Sequence, residues 1–332
     1  MEISGRNTSS RVIILGAGAS AFAGYPLARD LLSYIEPGLL ASDQTKASLN
    51  ALKFAMARLE ADLPNLATLE FLLTLIELND PFTKESLGPE PWKQEDSDRL
   101  AEVIARCFAS HQEALVNDPV KRPASYDRVA AGWAAKVYPG DQILSFNWDC
   151  LHESILWEHQ KWSPRDGYGF ELEGTAKWPS NTCGIVFHKL HGSAIWLIKE
   201  IEDSVPMIQR ARWLFLGCSN QNFHGFFANG SNRCLILPTY LKDITQYRAL
   251  LTVWEQAQEA LRNANELIVV GYSLHPADHL ARFLLSSELD RNKTVRQITL
   301  VMKEPGYWPE FLKSLGRDWV QAHTTFEDWV CS

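Results

Sequence analysis

The chain has 332 residues, 46% of them hydrophobic, enough for one large core or a core with a smaller lobe. Acidic residues (40) outnumber Lys and Arg (32), and no basic run offsets the net charge of -8, so a nucleic-acid groove is not the main surface. The six cysteines (Cys107, Cys150, Cys183, Cys218, Cys234 and Cys331) form no C-x-x-C pair, which argues against a zinc module and for scattered reduced thiols. The polar start "MEISGRNTSS" does not read as a signal peptide. No apolar run reaches the roughly eighteen residues of a membrane span, so a cytoplasmic protein without membrane contact is expected.

The first predicted element is a buried strand, Arg11 to Leu15, running into Gly16-Ala17-Gly18-Ala19-Ser20. Bare backbone after a strand lets a pyrophosphate approach amides at a helix start. Small-residue turns after strands are also common, so on this stretch alone a bland turn and a nucleotide loop fit equally. Pro26 sharpens the reading, because inside one continuous helix it would cost about 3 kcal/mol. The pattern predicts a short helical turn after Gly18, a stop at Gly24, and a second helix started by Pro26. A dehydrogenase would need a continuous helix here. Glu36, near the usual place of a ribose-binding acid, lies after that break and is discounted.

More than a hundred residues then read almost wholly as helix, predicting a helical insertion over residues 40–140, with 80–96 as its surface loop. Further strands are predicted at Gln142 to Phe146, Ile185 to Leu190, Cys234 to Leu237, Glu266 to Gly271 and Gln297 to Met302. Irregular stretches are expected at 162–181 and 220–233. Strands alternating with helices predict an α/β fold, a Rossmann-like, mostly parallel sheet flanked by helices, in one unit spanning 1–332.

Three of these strands end in residues with chemistry. Asn147 and Asp149 stand at the carboxyl end of the second, where open α/β sheets bind ligands, and Asp149 is placed to cap the next helix. Both also fit plain turn and cap roles. His191 ends the next strand beside Gly192, and alone it reads as a packed or surface histidine. His188 and His191 fall on opposite faces of a strand, so they do not share a metal. The late strand ends in Gly271-Tyr272-Ser273, a second close backbone approach, with Asp278 in the first turn of the following helix, where it suits the dipole. His275 and His279 have ligand-like spacing but no third partner, so no metal is expected.

In this order, the stretches resemble the sirtuin family, and more closely its prokaryotic sirtuin-like branch. "GAGAS" followed by Gly24 and Pro26 looks like the family's NAD loop, and Ser145-Phe146-Asn147-Trp148-Asp149 its T-x-N-x-D segment. His191-Gly192 resembles its catalytic His-Gly, and Gly271-Tyr272-Ser273-Leu274 its G-T-S-L turn. "LILPTYLKD" (235–243) resembles a prolyl segment of the prokaryotic branch. The paired-cysteine zinc module and the G-I-P-D-F-R sequence of protein deacylases are absent, which puts acyl-lysine removal in doubt.

The resemblance implies an NAD glycohydrolase that gives ADP-ribose and nicotinamide, acting as an antiviral defence effector. Asn147, His191 and Asp149 would be catalytic. Gly16, Ala17, Gly18, Ala19, Ser20, Pro26, Gly271, Tyr272, Ser273 and Asp278 would hold NAD, which is the substrate, with no metal. Unchecked NAD loss poisons a cell, so a homo-oligomer or a sensor protein encoded nearby is expected to gate the activity. The helical insertion and the 12 tryptophans would offer the contact surface. The alternative is a non-catalytic NAD or ADP-ribose sensor, which would not need the Asn147 and His191 pair.

Overall fold

The structure is a computed structural model and describes residues 10–35, 43–78, 94–170, 172, 175–199, 213–216, 233–240, 242, 244, 245, 247–295 and 297–332. Nine strands are described: β1 Arg11–Leu15, β2 Gln142–Ser145, β3 Val186–Lys189, β4 Gly192–Lys199, β5 Trp213–Leu216, β6 Arg233–Leu235, β7 Glu266–Val270, β8 Gln297–Val301 and β9 Asp318–His323. The helices are α1 Ala17–Ser20, α2 Leu31–Tyr34, α3 Asp43–Asp62, α4 Leu69–Glu77, α5 Gln94–Asn117, α6 Tyr126–Lys136, α7 Leu151–Glu158, α8 Arg248–Asn263, α9 His279–Arg291, α10 Trp308–Ser314 and α11 Phe326–Val330, with short turns between.

Six strands form one parallel sheet in the order β3-β2-β1-β7-β8-β9. Val12 to Leu15 of the central β1 are fully buried, as a strand covered on both faces requires. Ile13 pairs with Ile143 on one side and Ile268 on the other. The chain builds outward through β2 and β3, then returns to β1 and builds the other way through β7, β8 and β9. The order therefore reverses between β1 and β7, the point beyond whose strand ends open α/β sheets hold ligands.

Helices α3 to α6 fill the sequence between β1 and β2, where the helical insertion was expected. Its loop at 80–96 lies outside the described residues up to residue 93. Helix α5 packs on β4 and β6, while α6 packs on α7 and α11. Among the described residues no helix is long and apolar enough to cross a membrane.

Two expectations need correction. The strand at Cys234 to Leu237 is not part of the parallel sheet. It is β6, and it pairs antiparallel with β4 in a small sheet ordered β5-β4-β6. The second helix does not start at Pro26. Gly24 ends the first turn in a left-handed conformation (φ 87°), and the next turn begins at Ala28. Of the tryptophans, Trp133, Trp162, Trp196 and Trp308 are among the most buried side chains. Such large rings stabilise most when buried with the indole N–H bonded, and Trp308 donates to Tyr272 O (2.6 Å) and Trp254 to Leu190 O (2.9 Å).

Candidate active site

The turns after β1, β2, β3 and β7 meet at the point where strand order reverses. The closest approach is between the turns after β1 and β7. A Cβ on Gly16 would lie 2.5 Å from Tyr272 Cα, and one on Gly18 would lie 2.9 Å from Gly271 Cα. Gly16 donates to Val270 O and Gly18 to Gly271 O, both at 3.0 Å, and Ala19 donates to Gly16 O at 2.8 Å. The bare backbone of this loop thus serves loop-to-loop packing, whatever else it does. Ala19 is fully buried, whereas Ala17 and Gly18 are half-buried.

Asn147, directly after Phe146, is locked onto that loop. Its Nδ2 donates to Gly16 O (3.0 Å) and to Ser20 Oγ (3.1 Å), so the oxygen Oδ1 takes part in neither bond. Ser20 is fully buried, and its hydroxyl also meets His152 Nε2 at 3.3 Å. The Ser20 side chain therefore faces the protein interior. Burial drives the His152 imidazole down to about 3, with Lys189 adding to the effect, so it is neutral.

Asp149 stands one residue before the N-cap of α7, Cys150, and its Oδ1 accepts from Leu151 N at 3.1 Å. Burial pushes its carboxyl up, against Lys189, the Leu151 N–H and Ser20, which pull it down. Lys189, at the end of β3, is fully buried, pairs with Glu153 at 2.8 Å, and donates to the backbone oxygen of Asp149. The buried ammonium thus holds both the Asn147-to-Asp149 turn and the first turn of α7. Sequence reasoning missed Lys189. Its signal was a lysine inside the apolar run "IVFHKL".

His191 follows β3 and is nearly buried. Its Nε2 lies 3.1 Å from Asp278 Oδ1. The Asp278 carboxylate also accepts from Lys242 Nζ at Oδ1 and from the Tyr272 hydroxyl (2.7 Å) at Oδ2. Asp278 precedes α9 but gives it no side-chain cap; it turns to these three groups instead. Lys242 was not singled out from the sequence, because it lies in an irregular stretch with no periodic pattern.

Phe146 joins the two halves. Its ring stacks on Tyr272 (4.2 Å between centroids, 6° apart) and meets the His191 ring edge-on at 5.2 Å. β2 and β7 flank β1, so this stack spans the end of the central strand. Around it, Gly271 (φ 61°) and Leu274 (φ 56°) take left-handed conformations that tighten the Tyr272-Ser273 turn. Leu274 is fully buried and branched, so this conformation costs on the order of 1 kcal/mol and is held by its surroundings. Ser273 is exposed, and its backbone oxygen accepts from Tyr307 N at 3.1 Å. Pro26 is half-buried in extended chain between the two turns that follow β1.

The insertion reaches the same region. His111 Nε2 on α5 bonds Ala23 O at 2.7 Å, and Tyr25 donates to Gln112 at 2.7 Å. Gln112 in turn donates to Ser154 on α7 at 3.1 Å. One helix therefore ties the turn after β1 to the helix after β2.

Among the described residues, no cluster of three or more His, Cys, Asp or Glu could hold a metal ion. No family model matches the chain, and no curated protein matches it significantly. What is shown is thus an α/β protein with a Rossmann-like parallel sheet. At its switch point stands a buried amide, an imidazole backed by a carboxylate, and an aromatic stack between them.

Proposed function

We propose that the chain hydrolyses NAD at the bond between nicotinamide and ribose, releasing ADP-ribose, and serves in the cytoplasm as a gated antiviral effector. One observation carries the reading: Asn147 and His191, from the ends of separate strands, are both rigidly held around one aromatic stack at the sheet's switch point. A cationic nicotinamide is already a good leaving group. The protein's task is to bury and orient it and to stabilise the developing positive charge on the ribose while water attacks. Nδ2 of Asn147 is anchored to the glycine loop, which points to Oδ1 as the acceptor that holds water or a ribose hydroxyl. His191 accepts the proton. Asp149 and Lys189 keep the Asn147 turn in place. The half-buried backbone of Ala17 and Gly18 would face the pyrophosphate.

Gating is part of the proposal because free NAD loss harms the host cell. The ties from α5 to Ala23, Tyr25 and Ser154 give the insertion a mechanical route to the site. Assembly, or a partner on the insertion, would act through them.

Asn147→Ala and His191→Ala each lower nicotinamide release by roughly a hundredfold or more while the circular dichroism spectrum stays native. Full turnover in both variants refutes the assignment. A binding-only NAD or ADP-ribose sensor is favoured by one observation, that packing against Gly271 and Tyr272 already accounts for bare Gly16 and Gly18. The same assay separates the two, because a sensor binds NAD and releases no nicotinamide.

A further inference from the structure

His191 has two ring nitrogens, and the site decides between them. The Asp278 carboxylate takes donors from three separate parts of the chain: His191 after β3, Lys242 after β6 and Tyr272 after β7. Burial alone would push the Asp278 carboxyl up, but His191 and then Lys242 outweigh it and hold the group well below the carboxylate range. Burial and Asp278 raise the Tyr272 hydroxyl well above the usual tyrosine value, so it stays protonated and donates. An ionised carboxylate only accepts hydrogen bonds. The nitrogen of His191 that faces it, Nε2, therefore carries the proton, and in a neutral imidazole this leaves the lone pair on Nδ1. No described hydrogen bond engages Nδ1.

Among the described residues, the charged and titratable groups joined to this ring through hydrogen bonds are Asp278, Lys242 and Tyr272. Lys189, two residues before it on β3, is turned away to Glu153 and Asp149. The edge-on Phe146 ring fixes the imidazole from another side.

We infer that Asp278 is a positioning residue, clamped by Lys242 and Tyr272, that holds His191 as the Nε2–H tautomer and makes Nδ1 the atom that accepts the proton of the attacking water. The last part rests on the NAD hydrolysis reading; the tautomer does not. In that step the bond from water oxygen to the ribose carbon forms as the bond to nicotinamide breaks. The electron pair leaves with nicotinamide, and the water proton goes to Nδ1.

The test is 15N NMR of the full chain labelled at histidine, with the His191 signals assigned by their loss in His191→Gln, alongside nicotinamide release from NAD. The wild type is expected to show His191 protonated at Nε2, with Nδ1 as the nitrogen that gives up its proton when the ring is neutral. Asp278→Ala is expected to lose that single tautomer and about a hundredfold or more in kcat with little change in KM. Asp278→Asn, whose amide oxygen can still accept from His191, keeps the tautomer and a larger share of kcat. Lys242→Met leaves Asp278 held by Tyr272 alone, loosens the His191 tautomer and lowers kcat with little change in KM. A neutral wild-type His191 protonated at Nδ1, or an unchanged tautomer in Asp278→Ala, overturns the inference. An unchanged tautomer and kcat in Lys242→Met removes Lys242 from it. A wild type with the expected tautomer that releases no nicotinamide instead sinks the hydrolase reading and leaves the clamp standing.

Discussion

A methyl group on Gly16 would overlap Tyr272 backbone and side chain at 2.5 and 2.6 Å, with no flexible side-chain tip to yield. Gly16→Ala should therefore cost about 1–3 kcal/mol, as overpacking does, read as a lower urea midpoint. The buried Lys189–Glu153 pair makes a sharper case. Lys189→Met leaves a carboxylate that is 1% exposed without its partner, a loss of roughly 3–5 kcal/mol. The loss shrinks as pH falls, because burial already pushes the Glu153 carboxyl up and an unpaired Glu153 takes a proton. Lys189→Met combined with Glu153→Leu should recover most of it. Two buried histidines set the acid side of stability. Burial lowers His152 to about 3 and His188 to about 4, below the usual 6.5. The folded state thus binds fewer protons than the unfolded chain. Their stabilisation is full above about pH 6.5 and is lost as pH falls toward those values. His188→Gln should flatten the fall in unfolding free energy between pH 7 and pH 5; an unchanged slope would show that His188 is not the neutral buried group described.

Among the elements, the junction of β3, β4 and β6 controls how His191 is presented. Gly192 is left-handed (φ 77°), and a Cβ there would lie 2.0 Å from Cys234 O, across the small sheet. Gly184 is also left-handed (φ 64°) but faces open space. Gly184→Ala should cost only the backbone penalty of about 1–2 kcal/mol, while Gly192→Ala should cost clearly more in the same urea titration and disturb the His191 resonance. This junction also shows where sequence stops informing. β1, "RVIIL", is apolar on both faces and was legible at once, as were β2, β7 and β8. "CLIL" at 234–237 is equally apolar, but composition does not say which sheet a strand joins, and only the turn at Gly192 sends the chain into the second one. β9, "DWVQAH", is a half-exposed edge strand with mixed residues and gave no signal. The turn residues Asn147, His191 and Asp278 were visible as motifs. Lys242, which pairs with Asp278, was not, because a pairing between distant segments leaves no local pattern, and Lys189 showed only as a lysine inside an apolar run.

At the scale of the molecule, the reversal of strand order at β1 places four turns around one spot, and the insertion hangs from that spot through His111 and Gln112. If assembly gates the site, nicotinamide release per chain should rise with chain concentration or on adding the protein encoded beside its gene. A rate already maximal in the dilute, isolated chain would remove the gate from the account. Incubating the chain with NAD, dilute, concentrated and with that neighbouring protein, and separating the products by chromatography decides whether the bond to nicotinamide is cut. Equal amounts of nicotinamide and ADP-ribose are expected in at least one condition, with both lowered by roughly a hundredfold or more in Asn147→Ala and in His191→Ala. Intact NAD in every condition, or undiminished products from both variants, contradicts the hydrolase reading.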